Sequence, residues 1–345
     1  MVIDSAVIEH HEAETIPLHK LKEIVHINEK YLKEKSTWYK IKHDLEYFKV
    51  RDDIRLFTEI FFSNYAKKAF DLDTVDYRLA YVTLVEFNKK ASEAKLGLLS
   101  ENFQIPGRNY YLVSEMLKSE NSDLCHYGDF TFKTLLDFFK ETVAEDEYNI
   151  IKNFLVRLFI ADSFTFQQDR NEHNISFEVP KIQGISHTKR LRPYSLVEEL
   201  KNYEDIIDCT SDVPKLKKIR PSKVYDNERL FGYDHNNVNL YKKGMIWTPL
   251  FPYNKDLLFQ NQEEAIKAYN DYDNLDPNLT ELYLNYNKEA KPFIEKMAKD
   301  DEYKKELENF SYSNSPIHLS SKEIETIETV IQDRQKEFQK VLRLG

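Results

Sequence analysis

Glycine is scarce in this chain, with 7 in 345 residues, and the first of them is Gly97. A glycine-rich loop anywhere ahead of that position is excluded. Cysteine is almost missing too: Cys125 and Cys209 alone cannot make a disulfide framework. Two cysteines point to the reduced cytoplasm, with export by a route that needs no classical signal left open. The opening "MVIDSAVIEHHEAE" is acidic where a signal peptide would be basic and then apolar. No apolar run approaches the roughly 18 residues of a membrane-spanning helix. Positive charge is in deficit, with 49 Lys and Arg against 59 Asp and Glu for a net charge of −10. That balance speaks against a general nucleic-acid-binding surface, because phosphate backbones are held mainly by Lys and Arg. Common catalytic signatures are lacking as well. No Gly-x-Ser-x-Gly elbow and no setting for a cysteine nucleophile occur. "EHHEAE" has Thr15 where a zinc-protease helix needs its second His. "DYDNLDPNLTE" begins like a calcium loop but has no glycine turn and carries Pro277 where a backbone ligand belongs.

What is present builds a core. Hydrophobic residues make up 41% of the chain, and 22 Phe and 22 Tyr are far too many for a disordered one. A length of 345 residues suggests two lobes or domains, although no internal repeat or long Pro/Gly/Ser linker divides them. Residues 1–35 give little beyond a short helix around "PLHKLKEIVHINEKYL". "STWYKIKHDLEYFKV" reads as a hairpin. "DDIRLFTEIFFSNYAKKAF" reads as a helix capped by Asp52 or Asp53, with Ile54, Phe57, Phe61, Tyr65 and Ala69 on its inner face. "TVDYRLAYVTLVEF" and "AKLGLLSENF" follow as two further strands. An antiparallel sheet with one helix across it is the expectation for residues 1–103. Residues 104–345 read as mostly helical. There "EYNIIKNFLVRLFIADSFTF" is the central buried helix, with Ile150, Phe154, Leu158 and Ala161 on one side. Ser320 and Glu323 form a capping-box pattern at the start of the last helix. The predicted class is α+β, a small sheet-rich lobe followed by a larger helical one.

Within that frame, "QQDRNEHN" (167–174) breaks the apolar run with an Asp-Arg pair and an Asn five residues after the Asp. Phosphoryl transfer from ATP needs a cation on the phosphates, a carboxylate to orient the attacking hydroxyl, and oxygen ligands for Mg²⁺. Lys49 on the hairpin, Glu59 on the following helix, Asp169 and Asn174 in the loop, and Asp226 in "SKVYDNERLF" supply these in order. The spacing of Asp169 and Asn174 is that of a kinase catalytic loop. Taken singly, each residue has a plain structural reading. Asp169 ends a helix, Asn174 is a turn residue, Asp226 starts a turn, and Lys49 is a strand lysine with Lys40 and Lys42 beside it. It is their order that points to chemistry.

The runs "YFKVRDDIRLFTEIFFSNYAKKAFDLDTVDYRLA", "GLLSENF", "FIADSFTFQQDRNEHNISF" and "VYDNERLFG" together resemble the HipA-like protein kinases, a family that includes kinases some bacteria translocate into host cells. "SPIHLSSKEIETIETVIQDRQKEF" is similar to that family's last helix, which ends near an Arg. The resemblance covers about residues 38–340. It implies a two-lobed kinase fold and a serine/threonine protein kinase that uses ATP and Mg²⁺, acting on a protein substrate and on itself. By the same resemblance Lys49 contacts the phosphates and Glu59 positions it. Asp169 is the catalytic base, Asn174 and Asp226 hold metal, and the backbone of Ser100, Glu101, Asn102 and Phe103 reads adenine. Two departures stand out. Asn171 replaces the His of the family's Asp-Arg-His loop. With no glycine before Lys49, Ser36, Thr37 and backbone N–H groups must cover the phosphates. These departures motivate a second reading, a kinase fold kept as a binding or scaffolding module. Similar loops in phosphoinositide kinases supply a third, a lipid substrate. About 50 residues separate Asn174 from Asp226 and include the basic runs "HTKRLRP" and "KLKKIRP", which could face an acidic substrate or phosphates.

Overall fold

The computed structural model describes residues 14–17, 38–41, 46–50, 54–85, 94–101, 103, 107–113, 132–167, 170, 174–180, 207–208, 215–227, 229–231, 275–311 and 317–344. Its first part is a five-stranded sheet crossed by one helix. Strands β1 (Glu14–Pro17), β2 (Trp38–Ile41) and β3 (Glu46–Val50) precede helix α1 (Ile54–Phe70), and β4 (Tyr77–Val85) and β5 (Ala94–Glu101) follow it. The strand order is β1-β4-β5-β3-β2. The hairpin forms as its alternation demands, with Lys49 opposite Trp38 on one side and Leu98 of β5 on the other. Side chains directly opposite share a sheet face, so Lys49, Leu98 and, two residues on, Ser100 all lie on one face. All pairings in this sheet are antiparallel except one. β1 runs parallel to β4, with Glu14 opposite Val82. This corrects the expectation of a wholly antiparallel sheet, because a four-residue strand carries too little alternation to be read. Pro17, expected to open a helix, is the last residue of that strand, and residues 18–37 lie outside the described residues.

Helix α1 has the inner face its periodicity predicts. Phe57, Phe61, Tyr65 and Ala69 are buried, Ile54 is half-buried, and Leu56, Glu59, Ile60 and Phe62 on other sides of the helix are buried too. The Asp52 and Asp53 cap lies outside the described residues. Offset and edge-on ring contacts join α1 to distant segments, including Phe57 to Phe310 at 4.8 Å and Phe61 to Phe231 at 5.3 Å.

The remainder comprises β6 (Arg108–Leu112), α2 (Phe132–Thr142), α3 (Glu145–Phe164), β7 (Ser176–Pro180), β8 (Ile207–Asp208), β9 (Lys215–Leu216) and β10 (Arg220–Pro221). Helices α4 (Pro277–Asn285), α5 (Asn287–Met297), α6 (Glu302–Glu308) and α7 (Ser321–Val341) complete it. Seven α helices and three sheets are thus present among the described residues. Helix α3 is the central buried helix, but its inner stripe begins one residue later than its sequence suggests. Ile151 is buried with Phe154, Leu158 and Ala161, whereas Ile150 is 54% exposed. Ile151 shares a face with Leu155 and Leu158, both buried, whereas residues 145–150 of the opening turns are exposed or half-buried. The mostly helical expectation for this half also needs amending. A three-stranded antiparallel sheet, β10-β7-β6, is built from strands on either side of the candidate site in sequence. Among the described residues no helix is long and apolar enough to cross a membrane.

Helix α7 starts with the capping box read in the sequence. Ser320 Oγ accepts from Glu323 N at 3.3 Å, and Ser320 N donates to Glu323 Oε2 at 2.7 Å. Ser320→Ala is expected to lower stability by about 0.5–2 kcal/mol, read as a lower urea midpoint with an unchanged slope.

Candidate active site

Two backbone pairings and one side-chain bond bring the site together. The chain leaving α1 pairs with the chain approaching Asp226: Val75 N donates to Val224 O at 3.0 Å, and Val224 N donates to Asp73 O at 2.8 Å. Strand β7, which follows Asn174, pairs with β10, and Ser222 N donates to Ser176 O at 3.0 Å. Thr74 Oγ1 donates to Ser63 O at 2.8 Å, fixing the loop after α1 to the helix itself. Asp226 therefore has no freedom to drift from Glu59 or from the loop of Asn174.

On this scaffold the Lys49 ammonium is fully buried and donates to Glu59 Oε1 and to Asp226 Oδ1, each at 2.8 Å. Glu59 is fully buried, whereas the Asp226 side chain is 32% exposed. A buried ammonium is tolerated only when carboxylates compensate its desolvation. Here the exposed edge of Asp226 is the side from which a ligand can approach. Asp226 holds a left-handed backbone with φ of 60°, and Phe166 and Phe231 take 52° and 56°. With glycine so scarce, ordinary side chains occupy these positions at a cost of about 1–2 kcal/mol each. Strain of this kind concentrates where a site over-determines its backbone.

Beneath the ion triad lies a second layer that sequence reasoning did not assign. Arg170, fully buried, donates through Nε and Nη2 to both oxygens of Asp162 at 2.9 and 3.0 Å. It also donates to Tyr225 O at 3.1 Å and to Asn227 Oδ1 at 2.6 Å. A longer contact, 3.5 Å, goes to Asn174 O. Asn227 in turn donates to Glu59 Oε2 through its backbone N at 2.9 Å and its Nδ2 at 3.3 Å. Burial pushes the Asp162 carboxyl above its ordinary value while the Arg170 fork draws it back down. For Arg170, burial lowers the guanidinium's affinity for its proton, but Asp162, Asp226 and Glu59 outweigh that and hold it charged. One signal for this layer was visible: Asp162 is a lone acid inside the apolar "FLVRLFIADSF", a composition that asks for a buried partner.

Of the residues singled out from sequence, Lys49, Glu59 and Asp226 meet directly. Asn174 is buried, and its backbone joins theirs through Arg170. Ser100 is buried, Glu101 is exposed, and the Phe103 ring stacks at 5.7 Å on Tyr225, the residue before Asp226. Asp169, Asn171, Asn102, Ser36 and Thr37 lie outside the described residues. Tyr110, 6.0 Å from Phe103, is pushed up to about 12 by burial, and burial likewise raises Tyr225. Both phenols stay neutral near pH 7 and add no charge beside Asp226.

Three basic side chains of the run "KLKKIRP" meet partners within the fold, and Lys218 is exposed. Lys217 pairs with Asp208 at 3.6 Å and Arg220 with Glu178 at 3.1 Å, and Lys215 donates to Lys140 O at 3.0 Å. "HTKRLRP" lies outside the described residues. At the far end of the core, Arg334 of α7 donates to Asp276 Oδ2 and to Ser163 O, both at 2.8 Å, locking the last helix onto the end of α3.

The donor set fits a hard cation. Asp226 offers a carboxylate and Asn174 an amide oxygen, the ligand chemistry that suits Mg²⁺. Among the described residues no three His, Cys, Asp or Glu converge into a cage. Mg²⁺ sites of the phosphate-transferring kind take their remaining ligands from phosphate oxygens and water.

No family model and no curated protein matches the sequence. Among solved structures the chain is similar in fold to a Helicobacter pylori proinflammatory kinase, CtkA, at 12% identity. That likeness covers 90% of this chain and 94% of that one, with a TM-score of 0.46. It is also similar to HipA of Shewanella oneidensis MR-1, solved as a toxin–antitoxin complex with HipB and operator DNA. Identity there is 10%, coverage 94% of this chain and 71% of that one, and the TM-score 0.48.

Proposed function

We propose that this chain is an ATP- and Mg²⁺-dependent serine/threonine protein kinase of the HipA-like type, able to phosphorylate its own chain. The observation that carries the proposal is the buried ammonium of Lys49, held at 2.8 Å by a helix glutamate and by the aspartate of a strained turn. In protein kinases a strand lysine paired with a helix glutamate, beside a metal-binding aspartate, is the arrangement that must be in place for transfer. Two lobes, residues 1–103 and 104–345, would enclose the nucleotide.

In this reading Lys49 neutralises phosphate charge and Glu59 keeps its ammonium in place. Asn174 and Asp226 would hold Mg²⁺, which when bound offsets charge on the phosphate oxygens. Asp169 orients the incoming hydroxyl and accepts its proton. The backbone of Ser100 to Phe103 would face adenine, and Ser36 and Thr37 would lie over the phosphates. Catalysis by such a set is chiefly positioning and charge neutralisation. The protein substrate is bound without general nucleic-acid affinity, in keeping with the net charge of −10. The count of two cysteines supports a cytoplasmic location, with onward transfer into a host cell as a further step.

The test combines ligand binding with transfer. At a concentration 100 times its dissociation constant, Mg²⁺-ATP is expected to stabilise the protein by about 2.7 kcal/mol, seen as a rise in melting temperature. Incubation with γ-labelled ATP should label the chain on Ser or Thr, mapped by mass spectrometry. Stabilisation with no transfer to protein or to phosphoinositides would define a nucleotide-binding module. Label on phosphoinositide alone would define a lipid kinase. No stabilisation at millimolar nucleotide would overturn the proposal.

A further inference from the structure

The ion triad of Lys49, Glu59 and Asp226 uses one oxygen of Glu59. The other, Oε2, accepts from Asn227 through both its backbone N and its Nδ2. Asn227 is fully buried and uses both polar ends of its amide in opposite senses. Its Nδ2 donates to Glu59, and its Oδ1 accepts from Arg170. Arg170 is itself immobilised by a bidentate bond to Asp162 at the end of α3. The bonds form one unbroken line from the buried helix before the loop of Asp169 to the strand lysine: Asp162, Arg170, Asn227, Glu59, Lys49. Side chains of similar size do not serve the middle position. Aspartate has no donor for Glu59, and leucine has neither donor nor acceptor.

We infer that Asn227 is a positioning residue, which sets the orientation of Lys49 by fixing the carboxylate plane of Glu59 against the Arg170–Asp162 pair. A carboxylate held at one oxygen can rotate about its last torsion, which is broad. Held at both, it presents Oε1 to the ammonium in one direction. The line also passes through Arg170, which directly follows Asp169 in sequence. This inference rests on the kinase reading for its transfer arm only, since the geometry of Lys49 can be measured without ATP.

The experiment compares the wild type, Asn227→Asp, and the double variant Glu59→Gln with Asn227→Asp. In Asn227→Asp two carboxylates face each other and the Nδ2 bond is lost. In the double variant the amide introduced at position 59 can donate to the carboxylate introduced at position 227, while its oxygen accepts from Lys49. The side-chain bond then returns with its polarity reversed and the net charge of the pair kept. Lys49 is modified with an amine-reactive acetylating reagent in nucleotide-free protein, and its rate is read by mass spectrometry against Lys296 and Lys305 of the same molecule. Lys296 is tied to the carbonyls of Lys68 and Ala69 and so reports on the fold, while Lys305 is an exposed reference.

Asn227→Asp is expected to raise the Lys49 rate by about tenfold or more, the effect of losing a hydrogen bond to a charged group, with Lys296 unchanged. The double variant should bring the Lys49 rate part of the way back, because the backbone N of position 227 no longer meets a carboxylate. If the wild type transfers phosphate, Asn227→Asp should lower kcat more than it raises the KM for ATP. Unchanged Lys49 protection in Asn227→Asp would overturn the inference. So would an equal loss of protection at Lys49 and Lys296, which would reduce Asn227 to general support of the fold. A wild type that never transfers phosphate, with the labelling result as expected, would sink the kinase proposal and leave the positioning role standing.

Discussion

Lys49→Met is expected to lower phosphate transfer by on the order of 10²–10³-fold, the scale of removing one preorganised charge-stabilising donor. Asp169→Ala should cost about 10²–10⁴-fold, as expected for a positioned acid–base group. The two losses have different companions. Met at position 49 leaves Glu59 buried and facing an apolar neighbour on its Oε1 side, with Asn227 still bonded to Oε2. Removing one member of a buried pair costs about 3–5 kcal/mol, so Lys49→Met should also unfold at a clearly lower denaturant midpoint. Lys49→Arg should not rescue it, because a planar fork cannot occupy the point at which one Nζ meets two carboxylates at 2.8 Å. Asp169 follows a helix end in a polar stretch of sequence, so its replacement should reduce transfer while leaving the midpoint near the wild-type value. Single-turnover labelling together with urea unfolding monitored by circular dichroism separates the two variants. Full transfer by Lys49→Met would remove Lys49 from the mechanism.

The second large effect is on stability. Arg170→Met should destabilise the protein by about 3–5 kcal/mol, a large part of the roughly 5–15 kcal/mol that holds a typical domain. Both oxygens of Asp162, the carbonyl of Tyr225 and the side chain of Asn227 all lie within 3.1 Å of the guanidinium, in the interior. Without it Asp162 is a buried carboxylate that has lost its counter-charge. The loss should therefore depend on pH. Burial already pushes the Asp162 carboxyl upward and Arg170 is what draws it back, so the variant's folded-state value lies further above the ordinary one of about 3.9. A carboxyl raised on folding favours the native state below its unfolded value and loses that contribution as pH rises through its folded value. The gap between variant and wild type should thus be smallest at the acid end and widen toward neutral pH. Asp162→Leu combined with Arg170→Met should cost less than the sum of the single changes, because the two residues share one interaction. Urea unfolding at a series of pH values measures all of this. A gap that narrows with rising pH would contradict the assignment.

Much of the sheet and helix order was legible because it rests on local patterns. The period-two alternation of "WYKI" and "EYFKV" gives a hairpin, and Phe57, Phe61, Tyr65 and Ala69 repeat at helical spacing and are buried as that repeat requires. Lys49 and Glu59 could be paired from sequence since consecutive elements are usually adjacent in space. Other features depended on packing with no local signature. β1 is four residues long and its parallel partner lies far along the chain. Ile150 and Ile151 are adjacent and chemically equal, so only the position of the core decides that Ile151 turns in and Ile150 faces solvent. The partners of the basic run 215–221 were not readable, because Asp208 sits in a two-residue strand and Glu178 comes from a separate sheet.

The sequence by itself determined the α+β class, the succession β2, β3, α1, β4 and β5, and a candidate set in fixed order: Lys49, Glu59, Asp169, Asn174 and Asp226. Hydrophobic period, capping residues and motif spacing are short-range properties that every stretch of the chain carries with it. Only the tertiary structure decided that Lys49 reaches Asp226, 177 positions away, and that Arg170 lies buried beneath both through Asn227. Those contacts depend on burying charged groups, which is tolerable only when all of their partners arrive together.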